Sequence, residues 1–199
     1  IVVGGGDGSA STLAGLLVGR PIPLGILPLG TLNHFAKDLR IPLVLEAALA
    51  VIAAGHVRAV DVADVNGRYF VNNSSIGLYA HMLSDRIRQQ RHFGRSKWMA
   101  LGLAALRILR RFPLYRLTIS SAQGVRPRKT PFAFIGNNMY ALDPLSIGER
   151  AALDQGELCV YIANSQRRLD FLALSLQIAL GRPDQAHGFE LLKFNEVAI

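Results

Sequence analysis

Ile1 to Ala36, IVVGGGDGSASTLAGLLVGRPIPLGILPLGTLNHFA, holds two glycine-marked turns, each following a short apolar run. Ile1-Val2-Val3 runs straight into Gly4-Gly5-Gly6-Asp7-Gly8-Ser9, which predicts a buried strand end. A helix from Ala10 to Val18, closed by Gly19, is expected next. The glycines allow positive φ and close approach of the backbone to a ligand. Ser9 or Ser11 is placed to cap the helix, whose free N–H groups and dipole favour an anion. The second turn repeats the plan: Leu24 to Leu27 as a strand, Pro28-Leu29-Gly30-Thr31 as the turn, Asn33 to Leu39 as a short helix. Two such turns at neighbouring strand ends make a phosphate cradle with Asp7 at its rim. A carboxylate beside phosphates acts through Mg²⁺ or by holding a nucleophile.

Outward from this stretch, half of the 199 residues are apolar, ample for a core and enough for one or two domains. The chain begins at Ile1, inside a predicted strand and without an initiator Met, so it reads as part of a longer protein. The single cysteine, Cys159 in Leu158-Cys159-Val160-Tyr161, excludes an intrachain disulfide and sits in a strand-like setting that favours inert packing. No signal peptide is visible, and no run reaches the roughly 18–20 apolar residues of a membrane span. A reducing cytoplasm is therefore the expected location. The net charge is +8, and residues 86–116 carry nine of the 22 Lys and Arg residues and no Asp or Glu. Such a patch suits anionic lipid headgroups, nucleotides or nucleic acid. No nucleic-acid motif accompanies it, so a nucleic-acid partner is not expected.

Pro42 opens a third predicted helix, Leu43 to Ala54, apolar nearly all round and so expected to be buried, with Gly55 as its cap. From Val57 the pattern alternates through Val60, Val62 and Val65 to Asn66-Gly67 and then Arg68 to Asn72, a hairpin signal. A domain boundary is expected near residues 55–58. The polar run Asn72 to Ser75 either lines a cleft or forms a turn with self-bonded side chains. A helix from Ser96 to Arg111 has an apolar side at Trp98, Leu101, Ala105, Ile108 and Leu109, and Arg107, Arg110 and Arg111 near its end. It reads as a core helix with a solvated basic face or as a membrane-docking surface. Tyr115 to Ser121, Pro131 to Asn138 and Glu157 to Ala163 read as strands, with Gln123-Gly124 in the first connection. Arg168 to Leu180 reads as a helix and Gly188 to Ile199 as a last strand region.

Gly5-Gly6-Asp7-Gly8-Ser9 resembles the GGDGT signature shared by diacylglycerol kinases, sphingosine kinases and NAD kinases. Ile26-Leu27-Pro28-Leu29-Gly30-Thr31-Leu32-Asn33-His34-Phe35-Ala36 resembles the IPLGTGNDFA segment of the lipid-kinase branch, which disfavours an NAD kinase. Weaker resemblances follow at Asn72 to Leu78, at Phe132 to Asn138 and at Ala151 to Leu158. The resemblance is to the diacylglycerol kinase catalytic domain family. It implies an α/β plus β fold: residues 1–56 as part of a Rossmann-like nucleotide domain, and 57–199 as an antiparallel β-sandwich-like domain with helical insertions. The active cleft would lie between the two. It implies transfer of the γ-phosphoryl group of Mg²⁺-bound ATP to the hydroxyl of a diacylglycerol-like lipid, in phospholipid metabolism, by a cytoplasmic protein peripheral at the inner membrane face. Gly5, Gly6, Gly8 and Ser9 would offer backbone N–H groups to phosphates, with Ser11 near the helix start. Gly30 would belong to the second turn, Thr31 would add a hydroxyl, Asn33 would brace the turns, and Asp7 would be the catalytic carboxylate.

Two departures bear on activity. The family's aspartate after Asn33 is His34 here, which can contact a phosphate, accept a proton or serve structure alone. The relatives' structural Mg²⁺ turn carries Gln155 in place of its second aspartate, a weaker ligand, so no metal is assigned there. None of Glu46, Glu149, Glu157, Glu190 and Glu196 lies in the Asp-Gly-Glu turn that supplies the relatives' general base, which is expected beyond Ile199. A reading from another class is a non-catalytic nucleotide or lipid sensor. Oligomeric state is not legible in the sequence.

Overall fold

A computed structural model of the chain describes residues 1–77, 112–122, 124–141, 149–164, 167–170, 173 and 189–199. The basic run through Arg111, the helix expected from Ser96 to Arg111, and most of that from Arg168 to Leu180 lie outside the described residues. The chain forms two compact units, Ile1–Ser74 with Gly136–Ala141 and Ser146–Cys159, and Ser75–Ile135 with Leu142–Leu145 and Val160–Ile199. Residues 57–74, expected with the second domain, thus lie in the first unit.

In the first unit the order is β1 (Val2–Gly5), α1 (Asp7–Leu17), β2 (Gly25–Pro28), α2 (His34–Asp38), α3 (Leu45–Ala54), β3 (Ala63–Val65) and β4 (Arg68–Phe70). β1 and β2 are parallel, Val2 opposite Gly25 and Gly5 opposite Pro28, so both glycine turns leave the same end of the pair. Ala10, Ile26, Phe35, Ala36, Val71 and Leu153 form the core that joins α1, β2 and α2.

α1 begins at Asp7, three residues earlier than the sequence suggests. Gly6 is its N-cap and no side chain caps it, so Ser9 and Ser11 lie inside the helix rather than before it. Gly4, Gly5, Gly6, Gly8 and Gly30 are also absent from the left-handed residues; at Gly6 and Gly30 the use is close approach of backbones. α3 ends at Gly55 as expected (φ 70°), but its burial does not follow its composition. Ala48 is buried, whereas Leu49 and Val51 are 48% and 40% exposed. The helix meets β2 along one side, where Ile52 covers Gly25. The β3–β4 hairpin pairs Ala63 with Phe70 through an Asn66-Gly67 turn whose two central residues are both left-handed, at φ 51° and 78°.

β5 (Asn73–Gly77), β8 (Phe132–Asn137), β9 (Leu158–Ala163) and β10 (Phe189–Phe194) form a sheet of order β10-β9-β8-β5. β6 (Tyr115–Ser121) and β7 (Gly124–Thr130) form an antiparallel hairpin. The second unit's packing includes Phe112, Phe132 and Phe189 around Ala163, and Phe134 edge-on to Tyr161. Cys159 is buried in β9, as its apolar neighbours imply. β7 is not foreshadowed in the sequence. Its residues are mostly exposed, so no apolar alternation marks it, and Pro127 argues against a strand by propensity.

Candidate active site

The two turns meet through their backbones. A Cβ on Gly30 would lie 2.3 Å from the Gly6 Cα, so only glycine at 30 permits this approach. Asn33 holds the second turn from within. Its Oδ1 accepts from Gly30 N (2.9 Å), and its Nδ2 donates to the Pro28 and Gly30 carbonyls (3.1 and 2.8 Å). Asn33 is buried and left-handed (φ 51°), a conformation Asn tolerates better than most residues. It therefore shapes its own turn, and the link between turns falls to the glycine contact and Asp7.

Asp7 reaches across to α2. Oδ1 accepts from Phe35 N (2.8 Å) and Asn72 Nδ2 (2.9 Å), and Oδ2 accepts from His34 N (3.2 Å). The carboxylate thus serves the free N–H groups and positive dipole end at the start of α2. Oδ2, on the exposed side with one donor, keeps lone-pair capacity for a further partner. His34 is exposed and enters this cluster through its backbone N–H. Gly8 and Ser9 occupy the exposed, uncapped first turn of α1, and no atom lies within 4 Å of the space over Gly8. Thr31 is exposed on the second turn. Ser11 is drawn elsewhere, its Oγ accepting from Val71 N (3.3 Å).

Behind Asp7 lies a buried polar cluster that the sequence does not announce. Arg150, with its side chain fully buried, pairs with Asp38 (2.7 Å). It donates to the carbonyls of Val71 (2.6 Å) and Asn137 (3.0 Å) and to Asn72 Oδ1 (2.9 Å). Its guanidinium lies 5.9 Å from the Phe35 ring centroid and 5.3 Å from that of Tyr140. Burial pushes the Tyr140 hydroxyl above its ordinary pKa, with Arg150 opposing. Asn72, read from sequence as cleft lining or a self-bonded turn, instead bonds to Arg150 on one side and Asp7 on the other. A lone arginine in Glu149-Arg150-Ala151-Ala152 offers no sequence signal for this role.

The turn at Gln155 is closed by protein groups. Asp61 Oδ2 accepts from Asn138 Nδ2 (2.9 Å) and Gly156 N (2.6 Å), while Asn138 Oδ1 accepts from Gln155 N (3.2 Å). Among the described residues, no group of three His, Cys, Asp or Glu side chains is arranged to hold a metal. One carboxylate at the glycine turns fits an Mg²⁺ that arrives already bound to phosphates better than a resident ion.

Residues 1–65 match the family model of the diacylglycerol kinase catalytic domain. Probable YegS-like lipid kinases of Yersinia pestis (strain Pestoides F) and Yersinia pseudotuberculosis (serotype O:1b, strain IP 31758) are 42% identical over 90 residues, 43% of this chain and 30% of each relative. A crystal structure of a diacylglycerol kinase from Bacillus anthracis str. Sterne superposes with a TM-score of 0.69 at 23% identity, over 99% of this chain and 64% of that one. The chain thus covers less than two thirds of the length of each of these proteins. The two glycine turns lie inside the segment that matches the diacylglycerol kinase catalytic domain model, and the chain shares the fold of that solved structure along nearly its whole length.

Proposed function

We propose that the protein is an ATP-dependent lipid kinase that transfers the γ-phosphoryl group to the hydroxyl of a diacylglycerol-like acceptor. The observation carrying this reading is the Gly6–Gly30 backbone contact, which brings both turns and Asp7 to one place. First-turn amides of α1 at Gly8 and Ser9 would hold phosphate oxygens, with Thr31 adding a hydroxyl. Gly5, Gly6 and Gly30 keep the backbones close enough to leave that space open. Mg²⁺ bound with the nucleotide would supply charge neutralisation at the phosphates, and Asp7 Oδ2 would be the group that holds its water or the acceptor hydroxyl. Positioning and charge neutralisation supply most of the catalysis in such transfers. The second domain would be β-sandwich-like. The lipid would be met at an anionic membrane surface, with the protein peripheral at its cytoplasmic face; among the described residues no helix is long and apolar enough to cross a membrane.

A second reading, a non-catalytic nucleotide or lipid sensor, draws on one observation. Asp7 already accepts three N–H bonds, two from the start of α2 and one from Asn72, and an imidazole follows Asn33 where the family carries a carboxylate. Label transfer from γ-labelled ATP by the intact protein separates the two. The panel is diacylglycerol, phosphatidylglycerol, a sphingoid base and a polyprenol in mixed micelles with Mg²⁺. The expected result is label in one lipid, abolished by Asp7→Asn. That variant keeps one accepting oxygen and loses the His34 bond, a cost of about 1 kcal/mol, so it stays folded. Normal turnover in Asp7→Asn removes Asp7 from the mechanism. No label in any lipid, with ATP binding retained, favours the sensor.

A further inference from the structure

A fully buried arginine with this many partners does more than balance Asp38. An ion pair replaced by apolar residues often leaves a protein equally stable, so stability alone is a weak account of Arg150. Apart from the Asn137 carbonyl and the Tyr140 ring, its partners lie on one path. The guanidinium fork fixes Asp38 at the end of α2, the Val71 carbonyl and the Asn72 side-chain carbonyl. Because Arg150 donates to Asn72 Oδ1, the Asn72 amide is turned so that its NH₂ group points at Asp7 Oδ1. The same Oδ1 takes the Phe35 N–H, and the Phe35 ring lies against Arg150. Both ends of α2 and the Asp7 carboxylate are therefore set by one buried cation.

We propose that Arg150 is a positioning residue that acts through Asn72 to orient the Asp7 carboxylate. The inference rests on the kinase reading for its catalytic consequence, but its structural half stands apart. The fork matters because a guanidinium can hold Asp38 and Asn72 together in one plane, whereas a lysine ammonium has no such geometry.

Asn72→Asp is the sharpest variant. It is nearly isosteric and still accepts from Arg150, but it offers Asp7 no N–H and sets a second carboxylate beside it. In the intact protein, kcat and KM for ATP would be measured with diacylglycerol micelles for Asn72→Asp, Asn72→Ala, Arg150→Lys and the Asn72→Ala/Arg150→Lys double variant. Thermal melts would report folding. The expected result is a drop in kcat of about 100-fold for each Asn72 variant with KM for ATP little changed, the scale of a misplaced catalytic group. Arg150→Lys should fall similarly, and the double variant no further than the lower single one. Wild-type kcat in Asn72→Asp, or losses that multiply in the double variant, would overturn the proposal. Should Arg150→Lys fail to fold, the two Asn72 variants decide alone.

Amide hydrogen exchange keeps this separate from the kinase reading. If Asp7→Asn retains turnover, or diacylglycerol takes no label, exchange at the His34 and Phe35 amides decides the matter. Faster exchange at both in Asn72→Asp, with exchange in the β6–β7 hairpin unchanged, supports the relay; unchanged exchange at both sinks it.

Discussion

Gly8 and Gly30 are the same residue type under opposite constraints. Gly30 has the Gly6 backbone where its Cβ would sit, so Gly30→Ala forces the turns apart and should cost about 1–3 kcal/mol of stability. Gly8 has open space, and alanine is the better helix former by up to roughly 1 kcal/mol. The fold alone would favour alanine at 8. We therefore expect Gly8→Ala to melt at or above the wild-type temperature while binding ATP at least about tenfold more weakly, a loss of some 1.4 kcal/mol. Calorimetric titration beside a thermal melt checks both, and unchanged affinity would remove Gly8 from the phosphate site. At this scale the motif residues are legible because glycine, aspartate and asparagine each have a narrow set of turn uses. Gly6 and Gly30 do not take the positive φ that their type suggests, since they serve contact between chain segments. Arg150 and Asn72 are illegible because their partners stand up to 112 positions away.

Elements with a local signature can be read from sequence. The parallel β1–β2 pair, the Asn66-Gly67 hairpin and the strands β6, β8 and β9 carry their signals within a few residues. Burial of α3 and the existence of β7 depend on neighbours, and on both the structure departs from the sequence reading. β7 is tied to β10 by the Arg128–Glu190 fork, with two contacts of 2.7 Å. The hydrogen bond from Arg128, aided by the charges of Arg128 and Arg126 and opposed by desolvation, holds the Glu190 carboxyl below its ordinary pKa. A depressed carboxylate contributes stability above its unfolded pKa and loses it as pH falls through the folded one. Wild type should therefore lose stability below about pH 4.5, and Glu190→Gln should lack that part of the loss. Both side chains are partly exposed, so the difference should be only about 0.2–1 kcal/mol. Denaturant melts at pH 7 and pH 3 measure it; identical pH dependence in the two proteins would show the fork contributes nothing.

For the molecule as a whole, charge is the property that sequence reports without ambiguity, because it needs no contacts. A net charge of +8 with nine basic residues in 86–116 predicts binding to anionic vesicles that weakens with salt. Neutralising Arg107, Arg110 and Arg111 should weaken co-sedimentation with such vesicles by about 1 kcal/mol per residue at low salt. Unchanged binding would assign that segment to packing. The sequence by itself determined the two glycine turns, their order on neighbouring strands and the family model that this segment matches, since each is written in contiguous residues and local backbone rules. Only the tertiary structure decided that the turns touch at Gly6 and Gly30, that Asp7 is held by α2 and Asn72, and that Arg150 stands behind them. Those are contacts between distant segments, and a buried polar group is specified by the partners that folding brings to it.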